Sequence, residues 1–366
     1  MSDPKRPYEF PKYSKGRVDR AGQRIGTPAA TAEDFAALEN WRASHANILN
    51  TFKTVLYNRA KDMEVQIAQR LKRRPTIIDK LTREPGMHLS RMHDIAGCRV
   101  IVNSLDDLAE FRQRVHNARF DHKRRGIEGD RWNYIEHPKD SGYRGIHDVY
   151  TYHVEPKKGI AREKQPWNGM LVEIQYRTTI QHAWATAVEL AGLVTQNDPK
   201  FDRGNPDFIE FFRLASEILA RAFEDSVSCC RKLKNEDLIE RFQALEAKTH
   251  ILRLFSELQR SKGGIQLNGA SLLIFHYQTD LFGREQLEIK KFDSVNAAIQ
   301  EYNRLEQELA ERADIVLVGS RSGEAIKSAY RNYFSDAEEF ISLVQDGIGI
   351  LESDAFFTDE DDELIR

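Results

Sequence analysis

The stretch MLVEIQYRT, residues 170–178, alternates along its length: Val172, Ile174 and Tyr176 fall on one face, Glu173, Gln175 and Arg177 on the other. A period of two is that of a strand with one face turned to a core. The second face then carries a carboxylate, an amide and a guanidinium in a row, and polar groups on so apolar a strand need water or a ligand. Taken alone, an exposed sheet face is the plainer reading, and a binding site the sharper one.

Outward from this strand the pattern is that of a mixed α/β (α+β) fold, a sheet flanked by helices. GCRVIV (97–102) has the unbroken β-branched character of a buried strand, and RWNYI (131–135) and IHDVYTYHV (146–154) read as further strands between Gly, Pro or charged turns. Thr31 and Asp34 form a capping-box pattern. From there a long helical periodicity runs through Trp41, Ile48, Phe52, Val55, Met63 and Ile67, with its end expected near Pro75. SLDDLAEFRQRVH (104–116) predicts a helix capped by Ser104. Two more helices are predicted over 179–196 and 206–227, the second with Pro206 at its first position.

A helical connector over about 235–261 ends at the breaker KGG (262–264). Beyond it a smaller α/β unit is expected, with strands SLLIFHY, LEIKKF and DIVLV (314–318) and helices over 294–312 and 336–345. The expected organisation is a basic arm (1–30), a catalytic domain (31–232), a connector (233–262), a C-terminal α/β regulatory domain (263–351) and an acidic tail (352–366).

A chain of 366 residues has room for two such domains. The net charge of −3 is uninformative, but its distribution is not. Lys5, Arg6, Lys12, Lys15, Arg17, Arg20 and Arg24 crowd the start against Asp3, Glu9 and Asp19; seven acids from Glu352 to Glu363 crowd the end. Such segments are expected to be solvated tails, with a phosphate-touching arm as the sharper alternative. Cys98, Cys229 and Cys230 make no CxxC pair, which points to a reducing compartment and away from structural zinc. There is no apolar signal core and no apolar run near the roughly 18 residues a span requires, so no membrane is expected and the cytoplasm is the expected location.

The chemistry sharpens upstream of residue 102. Asp94 sits just before a buried strand, where short acids commonly hold a metal, and Arg99 lies within that strand, where arginine rarely sits without a partner. RLKRRPTIIDKL (70–81) gathers Arg70, Lys72, Arg73, Arg74 and Lys80 with Asp79 as the single acid; a solvated helix end is the plain reading, a polyphosphate cradle the functional one. HPKDSGYRGIHDVY (137–150) sets Tyr143 in a basic turn. Two carboxylates, a cationic loop and an aromatic in a basic turn suit phosphoryl-type transfer, in which positioning and charge neutralisation dominate. No G-x-x-x-x-G-K-[ST] occurs, so the cradle is not a P-loop.

RLKRRPTIIDKL, HDIAGCRVIV, YIEHPKDSGYRGIH and VEIQYRT…QHAWA together resemble the consecutive motifs of the RelA/SpoT-type alarmone synthetase domain, in that family's order, over about residues 35–230. The resemblance implies a nucleotidyltransferase-related sheet. It also implies a Mg²⁺-dependent pyrophosphokinase that moves the β,γ-pyrophosphate of ATP to a ribose 3′-hydroxyl, usually of GDP or GTP. It further implies Asp94 as the main Mg²⁺ ligand and Glu173 as the base for the 3′-hydroxyl and a second metal contact. Arg70 and Arg99 would sandwich adenine, and Lys72 and Lys80 would neutralise ATP phosphates. Tyr143 would stack on the acceptor base, Lys139 and His147 would face the acceptor's phosphates, and Gln175 and Arg177 would line the cleft.

Departures accompany the match. Thr76 stands where the family commonly has Ser, and Glu189-Leu190 where it often has Glu-His. His93-Asp94 also fits an HD-type hydrolase, but that metal site needs further His and Asp, and the dipeptide lies inside the synthetase motif. The size is that expected of a small alarmone synthetase with an added C-terminal domain. Some proteins resembling this family are toxins that make adenosine alarmones or pyrophosphorylate the 3′ end of tRNA, and the basic arm is compatible with a tRNA acceptor. A catalytically dead nucleotide sensor is a further alternative, against which intact Asp94 and Glu173 argue. His182 and Trp184 are expected to pack against the sheet, and GSRSGE (319–324) is either a plain turn or an anion-binding one.

Overall fold

The computed structural model describes residues 8–155, 165–195, 206–260, 270–279, 285–292, 313–318 and 335–363, with isolated positions between 297 and 308. The chain divides into two compact units, Met1–Lys139 with Arg144–Thr179 and Asp140–Tyr143 with Ile180–Arg366.

The first unit is built on a five-stranded mixed sheet. Its strands are β1 (Gln66–Leu71), β2 (Ala96–Val102), β3 (Lys123–Arg125), β4 (Ile146–Thr151) and β5 (Leu171–Thr178), in the order β1-β2-β5-β4-β3. Only the β2–β5 pair is parallel. Its helices are α1 (Lys15–Ile25), α2 (Ala32–Arg59), α3 (Arg74–Arg83) and α4 (Leu105–His116). The apolar face of β5, with Val172, Ile174 and Tyr176 fully buried, meets Cys98, Val100 and Val102 of β2 and Phe52 and Phe111 of α2 and α4 in one core. Each such side chain contributes about 1.5–3 kcal/mol by leaving water.

Local signals set several boundaries. The Thr31 hydroxyl accepts from the Asp34 N–H while the Asp34 carboxylate accepts from the Thr31 N–H, and Ser104 accepts from the Asp107 N–H. The helix expected to run to Pro75 instead stops at Arg59, followed by a turn with Asp62 at φ 66° and then by β1. Pro75 lies in the first turn of α3, where its missing N–H costs nothing. Residues 131–135 are not a strand; they turn, with one isolated bridge from Asn133 to Ile146. The expected solvated arm is also corrected over 15–25. Val18, Ala21, Gly22 and Ile25 recur at helical spacing and are buried, so α1 packs on α2.

The second unit contains α5 (Thr179–Thr195, from Ile180 on), α6 (Pro206–Glu224), α7 (Asn235–Thr249), α8 (Ile251–Arg260) and α9 (Ser335–Glu363). It also holds a three-stranded antiparallel sheet of β6 (Ala270–Thr279), β7 (Glu285–Phe292) and β8 (Ala313–Val318), ordered β7-β6-β8. The connector breaks at His250, which sits at φ 54° between α7 and α8. α9 runs beyond the expected residue 345 into the acidic stretch, because Phe340, Val344 and Leu351 anchor it among Phe212, Phe255 and their neighbours. KGG (262–264), GSRSGE (319–324) and most of the expected helix over 294–312 lie outside the described residues.

Candidate active site

Strand register assembles the polar face around β5. Laterally paired residues share a face. One row across the sheet is Arg70, Gly97, Glu173 and Val149; the next is Ala68, Arg99, Gln175 and His147. Arg177 follows beside Ile101. Glycine at 97 leaves Glu173 without a side chain beside it on β2.

Glu173 is 9% exposed and is gripped at both oxygens. His147 Nδ1 lies 3.2 Å from Oε1, and the Gln175 amide donates to Oε2 at 2.7 Å. Burial pushes its pKa up, but His147, Gln175 and His93 outweigh burial and hold the carboxyl well below its ordinary range. It is therefore ionised at neutral pH.

Asp94 is placed by the chain just ahead of β2. The Lys72 N–H donates to the Ile95 carbonyl at 2.8 Å, which brings the end of β1 alongside. Lys72 Nζ then donates to Asp94 Oδ2 at 2.7 Å, and Lys80 of α3 lies 3.8 Å from Oδ1. Burial and the Glu173 charge raise the Asp94 pKa; the two lysines bring it below its ordinary value. Lys72 itself is shifted down, burial outweighing its attraction to Asp94.

The two carboxylates thus feel each other, and Asp94 Oδ1 is buried with no hydrogen bond. A cation fits there: it would take the open lone pairs of Oδ1 and relieve the repulsion between Asp94 and Glu173. Among the described residues no cluster of three or more His, Cys, Asp or Glu could hold a metal. A Mg²⁺ ion held by one or two carboxylates normally completes its shell with water and substrate phosphates.

Arg70 and Arg99 share this face, the first exposed, the second half-buried. Arg177 is 5% exposed. Lys139 lies over the Tyr134 ring at 4.2 Å, and Tyr134 meets the His147 ring edge-on at 5.3 Å. Tyr143, in the second unit, packs against Trp184 at a centroid distance of 6.4 Å, and the Trp184 indole donates to the Phe212 carbonyl at 2.8 Å. His182 and Trp184 are both buried, and the ring contacts of Trp184 are with Tyr143 and Phe212 of the second unit, not with the sheet the pair was expected to pack against.

Three contributors escape sequence reasoning. Arg42 of α2 donates to the Lys72 carbonyl at 2.7 Å, His93 acts electrostatically on Glu173, and Tyr134 links Lys139 to His147. Nothing local marks Arg42, which sits on a helix 30 residues from its acceptor. His93 was legible only as the partner of Asp94 in a dipeptide.

Residues 69–191, which contain Arg70, Asp94, Arg99, His147, Glu173, Gln175 and Arg177, match the family described as "Region found in RelA / SpoT proteins". They form a RelA/SpoT-type domain. The chain is 34% identical over 122 residues to the GTP pyrophosphokinase YjbM of Bacillus subtilis (strain 168), which covers 33% of this chain. It spans about half, 52%, of that protein. Among solved structures it is similar to small alarmone synthetase 2 of Bacillus subtilis, at 22% identity over 50% of this chain and 90% of that one, with a TM-score of 0.38. It is similar too to small alarmone synthetase 1 of Bacillus subtilis bound to its product pppGpp, at 26% identity over 53% and 93%, with a TM-score of 0.38.

Proposed function

We propose that the chain is an ATP-dependent pyrophosphokinase with a guanosine nucleotide, GDP or GTP, as acceptor. The observation that carries this reading is a pair of carboxylates, Glu173 buried and ionised between His147 and Gln175 and Asp94 half-buried between two lysines. The match of residues 69–191 to the RelA/SpoT region and the likeness to a GTP pyrophosphokinase support the reaction class. The product named for the small alarmone synthetase 1 structure supports guanosine as the acceptor.

In the reaction the acceptor's 3′-oxygen attacks the β-phosphorus of ATP, the bond from that phosphorus to the α,β-bridging oxygen breaks, and AMP leaves. Glu173 takes the 3′-hydroxyl proton. His147 and Gln175 hold the carboxylate in place and keep it ionised, ready to take that proton. Lys72 and Lys80 neutralise the polyphosphate, with Lys72 exchanging its Asp94 contact for phosphate. Arg70 and Arg99 offer flat guanidinium groups to adenine. Asp94 and Glu173 would hold Mg²⁺, which when bound would supply further neutralisation of the polyphosphate charge. Tyr143 stacks on the acceptor base, Lys139 and Arg177 contribute positive charge, and the C-terminal α/β unit regulates the domain.

The test is transfer of label from γ-labelled ATP to GDP, GTP, ADP or tRNA, one acceptor at a time, with and without Mg²⁺. Labelled guanosine tetra- or pentaphosphate is the expected product. Transfer to tRNA or ADP alone would replace the acceptor assignment with the toxin reading, and transfer to none of the four would reject the reaction.

A further inference from the structure

Cys229 and Cys230 are neighbours in the turn between α6 and α7, with their Sγ atoms 3.8 Å apart. The turn is built around them. Glu217, fully buried on α6, accepts the N–H groups of Ser228 and Cys230 on one carboxylate oxygen, each at 2.9 Å. Arg221 donates to the carbonyls of Cys230 and Leu233. The Ser228 hydroxyl lies 2.8 Å from that of Ser216, and Ser216 donates to the Gly142 carbonyl at 2.6 Å. A hydrogen-bonded chain therefore runs from the cysteine turn to segment 140–143, which carries Tyr143. The approach is close at Gly142, which sits at φ +85° and where a Cβ would meet the Cβ of Ser216 at 3.0 Å.

We propose that Cys229 and Cys230 form a peroxide-sensitive dithiol whose oxidation to a vicinal disulfide loosens the Gly142 anchor and weakens acceptor binding. The last clause rests on Tyr143 as the acceptor platform. The Cys229 thiolate attacks one peroxide oxygen; the O–O bond breaks, Cys229 becomes a sulfenic acid, and the other oxygen leaves, protonated, as water. The Cys230 sulfur then attacks the sulfenic sulfur, the S–O bond breaks, and the departing hydroxide takes the Cys230 proton as a second water. Two thiols and one hydrogen peroxide thus give one disulfide and two waters.

The setting favours this order. Once Cys229 is ionised the Cys230 thiol can donate to its sulfur, and this bond, with the Arg213 guanidinium, pulls the Cys229 pKa down to about 7 against burial. Cys229 is half-buried, whereas Cys98 is buried in β2 with its thiol pushed up to about 12 by burial. Adjacent Cα atoms stand ~3.8 Å apart across a trans peptide, short of the ~4.4–6.8 Å that ordinary disulfides span. Closing the ring must twist the 229–230 peptide and disturb the Cys230 N–H bond to Glu217. A strained disulfide is readily reduced, which makes it a reversible mark and not a staple.

The test uses the full-length protein treated with hydrogen peroxide and digested with trypsin, since the peptide 222–231 contains both cysteines and excludes Cys98. That peptide should become lighter by two hydrogens, recover with dithiothreitol, and stay unchanged in Cys229→Ser. Phenylarsine oxide, which bridges paired thiols, should label the same peptide in the unmutated protein and block its oxidation, so the outcome does not hang on the variant's folding. Hydrogen exchange over 140–143 should quicken in the oxidised protein, and the acceptor KM should rise several-fold with the ATP KM unchanged. Cysteines that both remain alkylatable after peroxide, or a disulfide that leaves exchange at 140–143 unaltered, would overturn the proposal. Faster exchange with an unchanged acceptor KM upholds the dithiol's hold on this segment and removes Tyr143 from acceptor binding.

Discussion

Glu173→Gln separates the chemistry of this site from its architecture. The substitution keeps the shape of the side chain, and the new amide oxygen can still accept from Gln175, 2.7 Å away in the parent structure. His147 Nδ1, 3.2 Å from Oε1 in the parent, can face the new amide as donor or acceptor according to tautomer, so a hydrogen bond can be kept there. The burial penalty on the carboxylate, which is the largest influence on its pKa, disappears with the charge. Because His147, Gln175 and His93 together outweigh burial, losing the charge should lower folding stability, though the hydrogen bonds the amide keeps should hold the loss below the ~3–5 kcal/mol seen when a buried pair is broken outright. Catalysis has no such compensation, because an amide cannot accept the 3′-hydroxyl proton. Removal of a general base typically costs ~10²–10⁴-fold, or about 3–5 kcal/mol of transition-state stabilisation. Initial rates of label transfer from γ-labelled ATP, measured beside a thermal melt of the same preparation, should show a loss of at least a hundredfold while the melt, at a lowered midpoint, still reports a folded protein at the assay temperature. Asp94→Asn should lose at least as much through weakened metal binding. A folded Glu173→Gln enzyme with near-normal turnover would refute the assignment of Glu173 as the base.

Tyr143→Ala should lose about 1–3 kcal/mol of acceptor binding with ATP affinity little changed, while Tyr143→Phe stays active, because stacking needs the ring alone; equal impairment of both in equilibrium binding would rule stacking out. His45 is fully buried and its pKa is pushed down to about 4 by burial, so it stays neutral in the folded chain. The stability this confers is complete above the unfolded-state pKa of about 6.5 and is lost as pH falls from there towards about 4, roughly 3 kcal/mol in all. Urea midpoints across that range should fall more steeply for the parent than for His45→Gln, and parallel slopes would exclude His45 as the cause. Phe340 is fully buried between Phe212 and Phe255, so Phe340→Ala should cost about 3–5 kcal/mol in denaturant melts. Truncation from residue 262 should therefore give insoluble protein, because it removes Phe340, Val344 and Leu351 from the α6–α8 cluster. Replacing 262–334 with a flexible linker keeps α9 and should raise the transfer rate several-fold if the C-terminal unit restrains the enzyme; an unchanged rate would dismiss that role.

The elements legible in the sequence are those whose signal is local. The alternation over 170–178, the apolar run of β2 and the caps at Thr31 and Ser104 each encode their structure within a few residues, because side-chain period and terminal hydrogen bonds are short-range properties. The same reading failed where the local signal serves two structures. Ile67 and Leu71 are four apart and suit a helix as well as a strand; what makes 66–71 a strand is the backbone pairing it gains with β2, some thirty residues on. Residues 131–135 have strand-forming side chains but gain only one bridge, and they turn. The motifs also made legible the polar face of the sheet, on which Arg70, Arg99, His147, Glu173 and Gln175 fall. Its geometry was not: the grip of His147 and Gln175 on Glu173, the Lys72–Asp94 ion pair, the Arg42 bond to the Lys72 carbonyl and the Ser216 bond to Gly142 were decided by tertiary structure. A sequence names donors and acceptors. Which of them meet depends on strand register and helix packing between segments far apart in the chain, and those contacts set the charge and orientation on which the chemistry depends.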